Sequence, residues 1–600
     1  MTETVAEILD AYRGGAIKPE DIVARSFERI RAHNDPAIFI ALREEAEVLA
    51  EARSLGQVGD KTLPLYGIPV SVKDNIDVKG LATTAACPAY SYRPNKDAAS
   101  VARLREAGAL VLGKTNLDQF ATGLVGVRTP YGVGRNLFDP KLIPGGSSTG
   151  SALAVGAGFT PLALGTDTAG SGRVPAGFGN IVGLKPSRGL VSTAGVVPAC
   201  RTLDCVSVFA LTVDDAMAML SVIAAPDAAD AVSHPRVTHG VGPMPEGLRL
   251  GVPLPGQRLF YGDHVSEAAY EAALARFAAL GAKIVDIDIE PFYAAARLLY
   301  EGPWVAERYL TVRALIASSP ESLHPVTRQV ILAGAHGTAA DAFAAFYQLE
   351  ELRGVRDHTF CAIDALVLPT APTIYTIEQV LADPIGLNSR LGTYTNFVNL
   401  LEMCGLAVPA SMRPDGTPFG VTLLGLAGGD AALAAIGREF HAATGLPLGA
   451  LKHLQPPLAR QPSAPAAGEI PLAVVGAHLS GMPLNGELRN AGARLIERCT
   501  TAPHYRLFAL PGTRPPKPGL LRVKDGAGAA IEIEVWALSE SAFGRFVAAV
   551  PAPLSIGTLE LDGGRSVKGF LVEAEAVAGA RDISRFGGWR AFMAQEKAAV

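Results

Sequence analysis

Short strand-like runs alternate with alanine-rich helical stretches along most of the chain, and that alternation leaves few architectures open. IPVSVKDN (68–75), ALVLGKTN (109–116), LRLGVPLP (248–255) and DALVLPTAP (364–372) each hold a brief apolar core closed by polar or turn residues. Between them, stretches such as 99–108 and 266–281 are rich in alanine and read as helix. The pattern predicts an α/β fold, a sheet covered by helices. Residues 1–55 read as helical: Pro19 followed by Glu20 and Asp21 suits a helix first turn, and Ile22, Val23, Phe27 and Ile30 recur at helical spacing.

A chain of 600 residues exceeds one ordinary core, so a second domain is expected. Residues 456–469 hold four prolines and no apolar periodicity, which marks a linker. The expected division is 1–455, a linker at 456–469, and 470–600, where IPLAVVGAHLSG and AAIEIEVWALS again read as strands.

Composition excludes several classes of function. Hydrophobic content of 49% with 18% charged residues fits a globular chain with a large core. A net charge of −5 offers no basic excess for phosphate backbones, so no nucleic-acid partner is expected. The six cysteines, Cys87, Cys200, Cys205, Cys361, Cys404 and Cys499, are scattered without a CxxC pair, which suits a reducing compartment. The N-terminal stretch lacks a basic segment followed by an apolar run, and no uninterrupted apolar run reaches membrane-spanning length. A soluble, cytoplasmic protein without membrane contact is expected. No HExxH occurs and the histidines are dispersed, so neither metal nor cofactor is expected.

Glycine is concentrated in 123–189, where two glycine-serine runs stand out: Gly145 to Ser151 (GGSSTGS) and Gly165 to Arg173 (GTDTAGSGR). A nucleotide loop needs Gly-Lys-Ser/Thr, which neither run contains. A serine nucleophile needs a base, and no histidine occurs between residues 34 and 233. Lys73 follows the strand-like IPVSV, and burial in a low-dielectric pocket lowers a lysine pKa enough to make it a base. Ser-Lys pairs are an established variant of serine catalysis.

IPVSVKDN, GGSSTGS and GTDTAGSGR, in this order, resemble the amidase signature family. Ser147 precedes Ser171 by 24 residues and Lys73 precedes it by 98, both close to the family spacing. The resemblance spans about residues 20–450, including NLLEMCGLAVPA and PFGVTLLG. It implies a mixed central sheet covered by helices and a triad of Ser171, Ser147 and Lys73. Ser171 is then the nucleophile, and Ser147, after a cis peptide, relays the proton to Lys73. Backbone N–H groups of Thr168, Ala169, Gly170 and Ser171 form the oxyanion hole. Asp167 and Arg173 are implied to be a pair that fixes the loop, and Ser148 to be structural.

Two further stretches resemble the allophanate hydrolase branch of the family. TDTAGSGRVPAGF with NIVGLKP is one, and LYEGPWVAERY (299–309) is the other. The substrate so implied is a small one, a urea bearing a carboxylate. A guanidinium binds a carboxylate with two parallel hydrogen bonds, which points to Arg308, with Tyr300 as a second donor. The plainer reading pairs Arg308 with Glu307 or Glu301 on a solvated helix face. Residues 470–600 resemble the extra domain of that branch, a small α+β fold similar to γ-glutamyl cyclotransferase and linked to decarboxylation of the first product. His478, in VGAHLSGMPLN, is either an acid or base there or a histidine bonded to backbone at a strand end. The resemblance also implies a homodimer and a functional link to a biotin-dependent urea carboxylase. Another signature amidase, malonamidase-like or the glutaminase component of a tRNA amidotransferase, and an inactive scaffold on the same fold stay open.

Overall fold

A computed structural model of the chain describes residues 3–58, 61–234, 240–458, 464–466, 468–524 and 526–598. The chain divides into two compact units, Met1–Thr238 with Arg249–Leu458, and His239–Leu248 with Ala459–Val600. Residues 459–463 and 467 of the expected linker lie outside the described residues.

The first unit is built on eleven strands. In chain order they are β1 (Phe39–Leu42), β2 (Pro69–Lys73), β3 (Leu110–Thr115), β4 (Leu162–Asp167), β5 (Val182–Lys185), β6 (Cys205–Ala210), β7 (Arg249–Pro253), β8 (Lys283–Ile287), β9 (Ala365–Pro369), β10 (Met403–Met412) and β11 (Pro418–Leu426). They form one sheet in the order β1-β3-β2-β4-β6-β5-β10-β11-β9-β7-β8. The sheet is mixed. β3, β2 and β4 run parallel, as do β9, β7 and β8, while the pairings from β4 through to β9 are antiparallel. Every residue of β2, β3 and β4 is buried, as expected of a parallel segment covered on both faces. Their C-terminal ends carry the polar residues Lys73, Thr115 and Asp167. In open α/β sheets this is the edge where ligands bind.

The N-terminal region departs from the all-helical expectation. The helix Pro19–His33 has Pro19 in its first turn and buries Ile22, Val23 and Phe27, as its spacing requires. It ends at Asn34, which turns left-handed (φ 49°), and the chain then enters β1, antiparallel to β3. Phe39–Leu42 lies at the sheet edge, so pairing with β3 outweighs local helix preference there.

The second unit has strands β12 (Glu469–Val474), β13 (Arg494–Thr500), β14 (Tyr505–Ala509), β15 (Pro518–Arg522), β16 (Glu532–Ser539), β17 (Leu554–Glu560), β18 (Ser566–Val572) and β19 (Arg581–Asp582). They make a five-stranded sheet, β13-β16-β12-β18-β17, and a three-stranded sheet, β15-β14-β19. The core includes Leu472, Val474, Trp536, Phe570 and Trp589. Residues 240–248 join this unit through arginines: Arg489 donates to the Glu246 carbonyl (2.7 Å), Arg494 to Gly240 (2.9 Å) and Arg498 to Met244 (3.1 Å).

Candidate active site

Parallel pairing sets the first contact of the site. Val72 of β2 lies opposite Leu164 of β4, so Lys73 emerges beside the end of β4. Its Nζ donates to Thr166 Oγ1 (2.8 Å) and to Ser147 Oγ (2.8 Å). Lys73, Ser147 and Thr166 are all buried. Burial pushes the Lys73 ammonium down to about 7, against the opposing charges of Asp118, Asp167 and Asp204. Among the described residues no carboxylate pairs with it, so desolvation prevails and a large neutral fraction exists at neutral pH.

Ser147 reaches Lys73 from a loop that is fixed on both sides. The Gly146–Ser147 peptide is cis. The Asp118 N–H donates to the Ser147 carbonyl (3.1 Å). The Asp118 carboxylate accepts from the N–H groups of Val125 (3.2 Å), Gly126 (2.9 Å) and Arg128 (2.9 Å). A Cβ on Gly146 would lie 2.1 Å from Asp118 Oδ2, so only glycine fits there. Ser148 Oγ donates to the Thr166 carbonyl (3.1 Å) and accepts from its N–H (3.3 Å), which ties the loop to β4.

Ser171 sits in the turn after β4, organised around Asp167. That carboxylate accepts from Gly170 N–H (2.9 Å), Gly172 N–H (3.0 Å), Arg173 Nε (2.9 Å) and Arg173 Nη2 (3.0 Å). Burial alone would raise the Asp167 pKa, but the Arg173 guanidinium and these N–H groups hold it below the usual carboxylate range. The expected Asp167–Arg173 pair is therefore present, fully buried and bidentate. The same geometry corrects one expectation. The Gly170 N–H is committed to Asp167 and is not free to face an oxyanion, which leaves Thr168, Ala169 and Ser171 as candidate donors. Gly170 is still required by shape: its φ is 127°, and a Cβ would lie 2.4 Å from Thr395 Oγ1. The hydroxyl of Ser147 is bonded to Lys73, and among the described residues Ser171 makes no hydrogen bond to either.

Arg308 lies on the helix Trp304–Ser318 and points inward, 2% exposed. Its Nη1 donates to Thr122 Oγ1 (3.0 Å) and the Ala121 carbonyl (3.3 Å), and its guanidinium lies 5.5 Å from the centre of the Tyr300 ring. Nε and Nη2 are buried and meet no oxygen or nitrogen acceptor among the described residues, and the Cys200 thiol lies beside the guanidinium. Glu307 turns away and accepts from Thr202 N–H (2.9 Å), so the pairing of Arg308 with Glu307 on a solvated face does not occur. Nε and Nη2 form one edge of the guanidinium fork, the edge that takes a carboxylate side-on.

These features place a buried lysine, two serines and an open guanidinium edge in one unit. Residues 21–434 match the family profile described as amidase. The chain belongs to the amidase family. Residues 470–594 of this amidase match the profile of the allophanate hydrolase C-terminal domain. A urea amidolyase of Lachancea kluyveri is 45% identical over 588 residues, 95% of this chain and 32% of the relative. The chain spans about a third of the length of the urea amidolyases it matches. A glutamyl-tRNA(Gln) amidotransferase component of Symbiobacterium thermophilum is 36% identical over 460 residues, 70% of this chain and 93% of the relative. The solved structure of Kluyveromyces lactis allophanate hydrolase superposes with a TM-score of 0.85 at 40% identity, covering 99% of both chains. No helix among the described residues is long and apolar enough to cross a membrane.

Thr166, Asp118, Asp204 and Asn399 contribute to this amidase's site without having been singled out from sequence. Asn399 Nδ2 donates to the Asp167 carbonyl (2.9 Å) and Asp204 accepts from Thr168 Oγ1 (2.5 Å). Only Thr166 carries a local signal, as the hydroxyl residue at the end of β4 inside the glycine run. In the second unit His478 bonds Glu487 through Nε2 (2.9 Å) and stacks on Phe570 (5.3 Å between centres) in a pocket lined also by Lys517 and Leu554. Its side chain thus pairs with a carboxylate and not with backbone. Burial lowers its pKa, with Glu487 opposing.

Proposed function

We propose that this amidase hydrolyses allophanate, urea-1-carboxylate, and the observation that carries the reading is the open Nε/Nη2 edge of buried Arg308 beside Tyr300. A small amide substrate bearing a carboxylate satisfies both donors, and leaving a buried guanidinium edge unpaired is costly. Neutral Lys73 takes the Ser147 proton as Ser147 takes that of Ser171. Ser171 Oγ then bonds to the terminal amide carbonyl carbon. Thr168, Ala169 and Ser171 N–H groups receive the developing oxyanion, an interaction in which each donor contributes about 3–4 kcal/mol. The C–N bond breaks, the proton returns through Ser147 to the nitrogen, and ammonia leaves. Water, deprotonated by the same relay, opens the acyl-enzyme and releases N-carboxycarbamate, which decarboxylates to carbon dioxide and a second ammonia. Asp167 and Arg173 hold the nucleophile turn, and Ser148 holds the Ser147 loop.

In the 470–600 domain His478 serves as acid or base for the decarboxylation, supported by its Glu487 partner and its neighbour Lys517. The proposed domain limits are 1–455 and 470–600, joined by 456–469; the profile matches at 21–434 and 470–594 support the division, with residues 239–248 added to the second unit. A homodimer in the cytoplasm, fed by a urea-carboxylating activity, completes the reading. The unaligned length of the urea amidolyases supports the carboxylating partner.

Ammonia release from allophanate, with urea, malonamate and glutamine as controls, tests the assignment. Turnover of allophanate and not of urea is expected. Turnover of glutamine alone would move the chain to the activity named for the tRNA amidotransferase.

A further inference from the structure

One short turn touches both the nucleophile turn and the arginine helix. Asp204 is buried, and its Oδ1 accepts from Thr168 Oγ1 (2.5 Å) and Cys200 N–H (3.1 Å) while Oδ2 accepts from Ala199 N–H (2.8 Å). On its other side the same turn holds the helix that carries Arg308. Cys200 Sγ donates to the Trp304 carbonyl (3.4 Å), and Thr202 donates to Glu307 through N–H (2.9 Å) and Oγ1 (2.5 Å). Trp304 and Glu307 precede Arg308 by four residues and by one on the same helix.

A carboxylate that only closed the turn would need no more than the Ala199 and Cys200 N–H groups. Its third bond reaches 36 residues back, to the hydroxyl of Thr168, the first of the proposed oxyanion donors. Bonds to a charged acceptor are short and about twice as strong as neutral ones. Holding the Thr168 hydroxyl therefore fixes the side chain and, through it, the peptide plane. We propose that Asp204 is a positioning residue that locks Thr168 in its oxyanion-facing orientation and couples the nucleophile turn to the helix that seats the substrate carboxylate. This rests on the roles proposed above for Thr168 and Arg308.

The test compares Thr168→Val, Thr168→Ser and Asp204→Asn with wild type in two assays. One reads kcat and KM for ammonia release from allophanate. The other reads the second-order rate of Ser171 modification by a neutral fluorophosphonate, which needs no carboxylate anchor. Thr168→Val keeps the backbone N–H and loses the hydroxyl. It is expected to lower kcat about ten- to a hundredfold with KM nearly unchanged, and to slow modification by the same factor, as misplacement of a reacting geometry does. Thr168→Ser is expected to restore both rates, and Asp204→Asn to lower both. If Thr168→Val or Asp204→Asn keeps both rates at the wild-type level, or Thr168→Ser is as slow as Thr168→Val, the proposal is overturned. Should wild type be modified yet leave allophanate intact, the substrate reading fails, and the modification rates decide the role of Asp204 alone.

Discussion

Two buried lysines stand on neighbouring strands, at the ends of β2 and β3, in opposite surroundings. Lys114 meets the Asp74 carboxylate at 3.0 Å and donates to Thr83 Oγ1 (3.0 Å) and the Ala82 carbonyl (3.2 Å). Lys73 meets two hydroxyls. Burial lowers both pKa values, but only Lys114 has a carboxylate in contact to offset it. The difference shows what separates a structural cation from a base on one sheet: a partner at contact distance, not burial or residue type. The polypeptide makes the distinction by placing Asp74 on one side of the strand end and the Ser147 loop on the other.

Replacing each lysine by methionine breaks the comparison most sharply. Lys73→Met is expected to lower kcat/KM by about 100- to 10,000-fold, the usual contribution of general-base catalysis, with no loss of melting temperature. Lys114→Met leaves the buried Asp74 charge without its cation, with only the Thr84 N–H and hydroxyl donating to it among the described residues, and removing one member of a buried pair costs about 3–5 kcal/mol. That loss is read as a lower denaturation midpoint with the activity of the folded fraction retained. An inactive, fully stable Lys114→Met would erase the distinction.

The substrate end offers smaller effects. Arg308→Lys keeps the charge and loses the fork, so KM for allophanate should rise by about ten- to a hundredfold while kcat changes little, as for a bidentate site reduced to a point charge. Tyr300→Phe keeps the ring over Arg308 and removes one donor. KM should then rise by no more than about tenfold, the value of a single hydrogen bond. A fall in kcat alone in either variant would place these residues outside carboxylate recognition.

Much of this was legible in the chain. The strands β2, β3 and β4 end in polar residues, and the serines and lysine sit in local runs whose composition has few other uses. β1 was not legible, because four residues between helices gain strand character only from pairing with β3. Residues 240–248 belong to the second unit through arginines more than 240 positions away, which no local pattern records. Asp118 and Asp204 are single carboxylates whose meaning lies in the loops they hold. The motif assigns the Gly170 N–H to the oxyanion because it does not show that the Asp167 side chain competes for it and wins.

The central claim is that Lys73 is neutral enough to be the base. The direct measurement is the pH dependence of Ser171 modification by a neutral fluorophosphonate, with Lys73→Met alongside. A lysine must lose its proton to act, so the wild-type rate should be low in acid, rise with a midpoint near 7, and hold above it, and Lys73→Met should remain slow throughout. A midpoint near the ordinary lysine value of 10.5, or a Lys73→Met variant that reacts as fast as wild type, would contradict the account.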